Sequence, residues 1–164
     1  MKTGGTLQVS DGAGHLYAAR IDGFSNGEVI CSILEKEHAP SVTPFQVTLL
    51  HSLPKGARMD WLVQKSTEAG VCEIVPVHMK RSVRILPPEH VDRRRIRWQR
   101  IAMEAAGQCG RVDLPRIRNP LSLTDALKRI RNFPLRIFFD IQGKSLPLSE
   151  IRRKCPVPGK AALL

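Results

Sequence analysis

The sequence lacks close pairs of metal ligands. Cys31, Cys72, Cys109 and Cys155 stand far apart with no CxxC, the histidines are scattered, and no HExxH occurs. Zinc sites ordinarily draw on ligands a few residues apart, so no metal is expected. The same spacing reads as free thiols in a reducing compartment, with the cytoplasm as the default location. No apolar run is long enough to cross a bilayer. The opening MKTGGTLQVS has no apolar core of a secretory signal. Repeats and low-complexity tracts are missing. So is a phosphate loop: PKG at Pro54–Gly56 does not meet GxxxxGKS/T, and QKS has no glycine loop ahead of it. A mononucleotide-binding α/β protein is therefore a weak reading.

Acidic residues are scarce beyond residue 50. Residues 1–50 hold three Lys/Arg and five Asp/Glu, net −2, whereas the rest holds 23 basic and 10 acidic residues, net +13. An asymmetry of this kind favours a polyanion partner for the second part, nucleic acid first among them. A basic RNA-binding module without catalysis fits the same charge.

Residues 6–35 read as short strands, TLQVS, HLYAARI and EVICSILE, punctuated by DGAG and DGFSNG. Asp-Gly and Asn-Gly turns suggest a small antiparallel sheet or barrel. Lys36–Pro44 reads as a linker. From Phe45 the rhythm changes. FQVTLLHSL suits a strand covered on both faces. Arg58–Ala69 is a helix with Met59, Leu62, Val63 and Ser66 on its apolar stripe and Thr67 pointing elsewhere, closed by Gly70 as a left-handed cap. EIVPV resumes as a strand, and Pro76 implies that it ends or lies near an edge there. A long helix from Glu89 carries Val91, Trp98, Ala102 and Ala105 on one stripe and stops at Gly107–Gly110. PRI is a short strand, Ser122 opens a helix with Asp125 placed for a capping box, LRIFFD is a buried strand, SLPLSEIRRKC a short helix, and KAALL a last strand. Alternating strands and helices predict a mainly parallel α/β sheet. Its ligand edge lies beyond the strand carboxyl ends, at Leu53–Gly56, Val77–Arg81 and Phe139–Gly143.

Several side chains there carry chemistry. Lys55 and Arg58 flank a helix start, where backbone N–H groups also favour phosphate. Lys80, Arg81 and Arg84 sit at the ligand edge or in a plain solvated turn. Arg93, Arg94, Arg95, Arg97 and Arg100 crowd two helical turns with little alternation of sign, which favours RNA-backbone contact. Lys65 and Glu68 read as a surface ion pair. Glu104, Gln108 and Arg111 recur at i, i+4 and i+7 among small residues, which suggests a site or a subunit interface.

Taken together, PKGARMDWLVQKSTEAGVCEIVPVHMKRS, RWQRIAMEAAGQCGR followed by LPRI, and the earlier LQVSDGAGHLYAARI resemble the ribosomal RNA small subunit methyltransferase E family over nearly the whole chain. Gln64, Lys65, Glu68, Gly70, Pro76, Arg81, Ser82, Glu104, Ala105, Gln108, Arg111 and Pro115 fall on family positions. The resemblance implies a partial PUA-like β-barrel over residues 1–40 and a SPOUT-type methyltransferase domain over 41–164. In that domain a mainly parallel sheet with flanking helices ends in a trefoil knot, an exception to the rule against threaded chains. It implies methylation of uridine N3 in 16S ribosomal RNA of the small subunit, S-adenosylmethionine as cofactor, and a homodimer with the site at its interface. Phe139 and Asp140 loosely match the first cofactor loop. Arg81 or Arg111 would place or stabilise the uridine, and Glu104 would accept a proton or orient an arginine. Lys65 and Glu68 become candidates for interface or site. The family pattern has a further strand and helix before the position of Met1, and a GPEGG loop and an arginine-bearing loop after a strand like KAALL. The chain therefore reads as a fragment truncated at both ends, with an incomplete knot. It is expected to be inactive or incomplete, or a pseudoenzyme, and to bind S-adenosylmethionine weakly; micromolar binding by calorimetry would contradict this.

Overall fold

The computed structural model describes residues 1–38, 45–80, 86–139, 146–154 and 159–164. Three strands open the chain, β1 (Thr6–Ser10), β2 (His15–Ser25) and β3 (Glu28–His38), paired antiparallel in that order. The β2–β3 hairpin turns on Asn26 and Gly27, with φ of 51° and 79°. Such a two-residue turn matches the twist of the strands it joins. From sequence, a break is expected across all of DGFSNG. In the structure Asp22–Ser25 stay in β2, and a register irregularity between Ile21 and Gly23 absorbs the Asp-Gly pair. Lys36–His38, read as linker, belongs to β3; the rest of that linker lies outside the described residues.

The second sheet contains β4 (Gln46–Ser52), β5 (Glu73–His78), β6 (Arg116–Ile117), β7 (Leu121–Ser122), β8 (Leu135–Ile137) and β9 (Lys160–Leu163). The helices α1 (Arg58–Glu68), α2 (Pro88–Cys109), α3 (Leu123–Arg129) and α4 (Leu148–Lys154) come between them in the chain. Strand order is β6-β5-β4-β9-β8, every pair is parallel, and β7 continues beside β5 beyond β6. Successive strand residues point to opposite faces. Leu49 and Ile74 therefore pack under Met59, Val63, Trp98 and Ala102 of α1 and α2, whereas Leu50, Val75, Val77 and Ala162 meet Ala126 of α3 and Ile130, which caps it. The sheet is covered on both sides, as the apolar run in β4 predicts.

Pro76 is fully buried in β5, a strand with neighbours on both sides, not at an edge. Its position has a local reason. Arg116 N–H donates to Cys72 O and Arg118 N–H to Ile74 O, both at 2.9 Å, so even-numbered residues of β5 face the β6–β7 side. Pro76, which has no N–H, faces the gap between those two short strands, where no ladder bond is lost.

The helix ends follow local chemistry. Gly70, at φ 89°, donates to Thr67 O and Val71 N–H to Ser66 O, both at 3.0 Å, a complete Schellman closure. Thr67, expected to point away from the core, is fully buried, with its hydroxyl donating to Val63 O at 2.8 Å. That intrahelical bond satisfies the hydroxyl and lets the methyl pack inward. Ser122 Oγ accepts from Asp125 N–H at 3.1 Å, the capping contact read from sequence. β8, expected to be buried, is instead an edge strand with Arg136 exposed.

The two sheets meet at the turn between β1 and β2. Ser10 Oγ donates to Val112 O at 2.8 Å, and Leu114 N–H to Gly12 O at 3.0 Å. Gly12 has φ 72°, and a Cβ there would lie 2.7 Å from Leu114 Cδ1.

Candidate functional site

All the strands of the second sheet point the same way, so their carboxyl ends share one edge. β4 runs into Leu53–Gly56, β5 into Met79 and Lys80, β8 into Phe138 and Phe139, and β9 into Leu164. Phe139 N–H donates to Leu164 O and Leu164 N–H to Ile137 O, both at 2.8 Å, carrying the β8–β9 ladder to this edge. Phe138 and Phe139 are 64% and 61% exposed there. Exposed aromatic faces beside backbone groups at the carboxyl edge suit a flat ring of a ligand. Asp140, Arg81 and Arg84, three of the residues singled out from the sequence, lie outside the described residues.

The basic side chains gather at the same edge. Lys55 and Arg58 are exposed on the turn into α1, where Gly56 has φ 66°, and Lys80 is exposed after β5. Helix α2 begins at this edge. His90, Arg93, Arg94, Arg97 and Arg100 line a groove of about 790 Å³ along it, with Ile96 among them. The arginines differ in their partners. Arg97 donates to Asp60 Oδ2 on α1 at 2.7 Å, a pairing that raises its pKa further. Arg95 reaches Asp92 at 3.5 Å, and Arg100 reaches Glu104 at 3.1 Å. Among the described residues, Arg93 and Arg94 have no acidic partner. Arg94 also borders a small cavity with Leu53, Gly56, Met59, Leu86 and Trp98, and among the described residues the buried Trp98 Nε1 has no hydrogen-bond acceptor.

Lys65, Glu68 and Gln64 form one cluster on the exposed side of α1. Lys65 Nζ lies 2.8 Å from Glu68 Oε2, and Gln64 Nε2 donates to Glu68 Oε1 at 3.0 Å. The lysine, more than the amide, holds the Glu68 carboxyl below its ordinary pKa.

The Glu104–Gln108–Arg111 series does not form one face. Gly110 takes φ 71° and ends α2, so Glu104 and Gln108 remain exposed while Arg111 turns inward. Its side chain is 7% exposed, and the guanidinium is bonded to Asp113 at 3.0 Å. It also donates to Thr67 O at 2.9 Å and Val71 O at 2.8 Å. These carbonyls close the carboxyl end of α1, at the amino-end edge of the sheet, opposite the edge described above. The geometry gives Arg111 a structural task.

One cluster has little signature in the sequence. Glu73, at the start of β5, accepts from Arg118 Nε at 2.5 Å, Arg129 Nη2 at 2.7 Å and Thr48 Oγ1 at 3.4 Å. Burial works to raise its pKa, but the two arginines outweigh it and hold the carboxyl below its ordinary value. The available signal was a charged residue opening the apolar run EIVPV. Its partners, distant in sequence, carried none.

A family model for the RNA methyltransferase domain matches residues 41–162. Ribosomal RNA small subunit methyltransferase E of Bacillus subtilis is 33% identical over 113 residues, 69% of this chain and 44% of that protein. The protein of the same name from Buchnera aphidicola (subsp. Acyrthosiphon pisum) is 25% identical over 162 residues, 94% of this chain and 59% of its own length. The chain spans about half the length of the curated relatives it matches. Among solved structures, ribosomal RNA small subunit methyltransferase E from Neisseria gonorrhoeae bound to S-adenosyl methionine matches with a TM-score of 0.88 at 27% identity, over 99% of this chain and 66% of that one. The mostly parallel sheet between helices is thus the SPOUT-type α/β fold of these relatives, and the small antiparallel sheet is consistent with a partial PUA-like barrel.

Proposed function

We propose a function from one premise: the chain belongs to the ribosomal RNA small subunit methyltransferase E family of RNA methyltransferases. The protein methylates N3 of a uridine in 16S ribosomal RNA, acting in the cytoplasm as a homodimer. The observation that carries this reading is the likeness, along almost all of the chain, to a relative solved with S-adenosyl methionine. Residues 1–40 serve as the PUA-like part and 41–164 as the methyltransferase domain.

The cofactor, when bound, supplies an electrophilic methyl group on a sulfonium centre. Phe138 and Phe139 are the residues that would hold it, offering exposed ring faces beside the backbone at Leu164. The chain's remaining work is alignment and charge. Displacement at carbon needs the uridine N3 in line with the bond that breaks. N3 carries a proton near neutral pH and attacks after losing it, and nearby cations favour the anion that results. Lys80 stands at this edge, and Arg81 follows it in sequence. Arg81 takes the uridine-placing role in this reading because Arg111 is occupied beneath α1. Lys55, Arg58, Arg93, Arg94 and Arg97 bind RNA phosphates around the same edge, and Arg84 joins them. The exposed Lys65–Glu68 pair, Glu104 and Gln108 lie on the surface given to the partner subunit.

The test is methyl transfer. Supplied at concentrations that offset the weak cofactor binding expected of this chain, methyl-labelled S-adenosylmethionine should, with small-subunit ribosomal RNA, place label in 3-methyluridine, resolved by nucleoside mass spectrometry. Label in another nucleoside would overturn the assignment. RNA binding without label would favour the second reading, a non-catalytic RNA-binding module, which the arginine groove along α2 supports by itself. Within the first reading, Arg81→Ala should lower the rate on the order of a hundredfold, as removal of a stabilising donor does elsewhere. An unchanged rate would remove Arg81 from the site.

A further inference from the structure

The amino-end edge of the sheet carries a second basic surface, facing away from the proposed methyl-transfer edge. A groove of about 760 Å³ lies across the starts of β4, β5, β6 and β9, with Arg116, Arg118, Arg129 and Lys160 on its walls. A second groove, of about 350 Å³, lies along β6 and β7 and is bordered by Arg95, Arg118 and Arg129. Arg118 and Arg129 belong to both, so the two form one track from Lys160 round the β6–β7 edge to Arg95 on α2.

The acids on this track are already engaged. Glu73 holds Arg118 and Arg129, and Asp113 holds Arg111. Among the described residues Arg116 and Lys160 have no acidic partner, and both are exposed. Arg118 and Arg129 each remain more than a third exposed while bound to Glu73. Glu73 thus fixes two guanidinium groups in place without hiding them, and the surface keeps a net positive charge. Arg116 and Arg118 alternate along an extended segment, about 6.6 Å apart by strand rise, a separation suited to successive phosphates of an extended nucleic-acid strand. The edge is also unsuited to strand addition by another protein: β6 and β7 are two residues each, with Pro120 between them.

We infer that this track binds the phosphodiester backbone of RNA, as a second contact separate from the carboxyl edge. The inference rests on the RNA reading above. The sheet of β1–β3 docks beside it at Val112–Leu114, so RNA on the track would run close to the N-terminal sheet as well.

Fluorescence anisotropy of the full chain with a labelled single-stranded oligouridine, titrated over a range of KCl, tests it. The double variant R116A/K160A should bind on the order of tenfold more weakly, and its log-affinity against log-salt slope should flatten by about 0.7 for each phosphate it no longer neutralises. The charge-keeping R116K/K160R should retain the wild-type slope, which separates an effect of charge from an effect of structure. If R93A/R94A weakens binding while R116A/K160A matches wild type, the track falls and the RNA reading stands. If wild type does not bind, or binds with no salt dependence, both fall. If polyglutamate displaces the RNA from R93A/R94A as well as an RNA competitor of equal charge does, the track is a site for acidic protein surfaces and the inference is overturned.

Discussion

Arg111 illustrates how one side chain divides between sequence and structure. Its family position and its place after a run of small residues drew it toward the site. The turn at Gly110 sends it instead beneath the end of α1, where it satisfies two backbone carbonyls and a carboxylate. Removing the guanidinium leaves two carbonyls and a part-buried carboxylate without their donor, at a cost of about 1–3 kcal/mol. Arg111→Ala should therefore lower stability by about that amount in urea denaturation, and a change under about 0.5 kcal/mol would contradict the clamp. Asp11 gives a residue-scale prediction in pH. The Ala13 N–H first, then His15, hold its carboxyl at about 2 against an ordinary 3.8, with burial opposing. A carboxyl whose pKa is depressed on folding stabilises the fold above its unfolded value. Here that contribution is complete above about 3.8 and is lost as pH falls toward about 2. A carbon-13 NMR titration of Asp11 should find its midpoint near 2; a midpoint near 3.8 would mean that the β1–β2 turn is not held this way. The partners of Arg111 were not legible beforehand, since they are carbonyls more than a helix away in sequence, whereas those of Asp11 lie within four residues of it.

At the scale of elements, what was legible was what is local. The apolar run in FQVTLLHSL, the Gly70 cap, the Ser122 cap and the strand–helix rhythm all depend on neighbours within a few residues. The structure repeats them. Ser122→Ala should accordingly cost about 1 kcal/mol of stability, measured by thermal melting, with little effect if α3 is held by Ala126 and Ile130 alone. Pro76 went the other way. A proline inside an apolar strand reads as an edge or an end, and only the interruption between β6 and β7, distant in sequence, makes a central position tolerable. Gly12 belongs at this scale too. With φ 72° and Leu114 against it, Gly12→Ala should cost about 1–2 kcal/mol of backbone strain and loosen the seam between the sheets. Hydrogen exchange at Leu114 N–H, which bonds Gly12 O, should then quicken; unchanged exchange would mean that the seam tolerates the change.

For the whole molecule, the uneven charge found in the sequence becomes two basic surfaces at opposite ends of one sheet. The arginine run on α2 was visible because its members are adjacent. The amino-edge track was not, because Arg95, Arg116, Arg129 and Lys160 come together only when β6, α3 and β9 are in place. The aromatic pair at Phe138 and Phe139 was half visible, as the end of a strand whose exposure depends on its being outermost.

The order β6-β5-β4-β9-β8 also bears on how the chain is made. β4 pairs on one side with β5, its near neighbour in sequence, and on the other with β9. As the chain leaves the ribosome, the antiparallel sheet and the β4–α1–β5 unit emerge before β9 does. One flank of β4 stays open until the residues of β9 arrive. Non-local pairing of this kind is slow and leaves apolar strand edges exposed to other chains in the interval. A pause in translation ahead of Lys160 would lengthen that interval and with it the exposure of the open flank of β4.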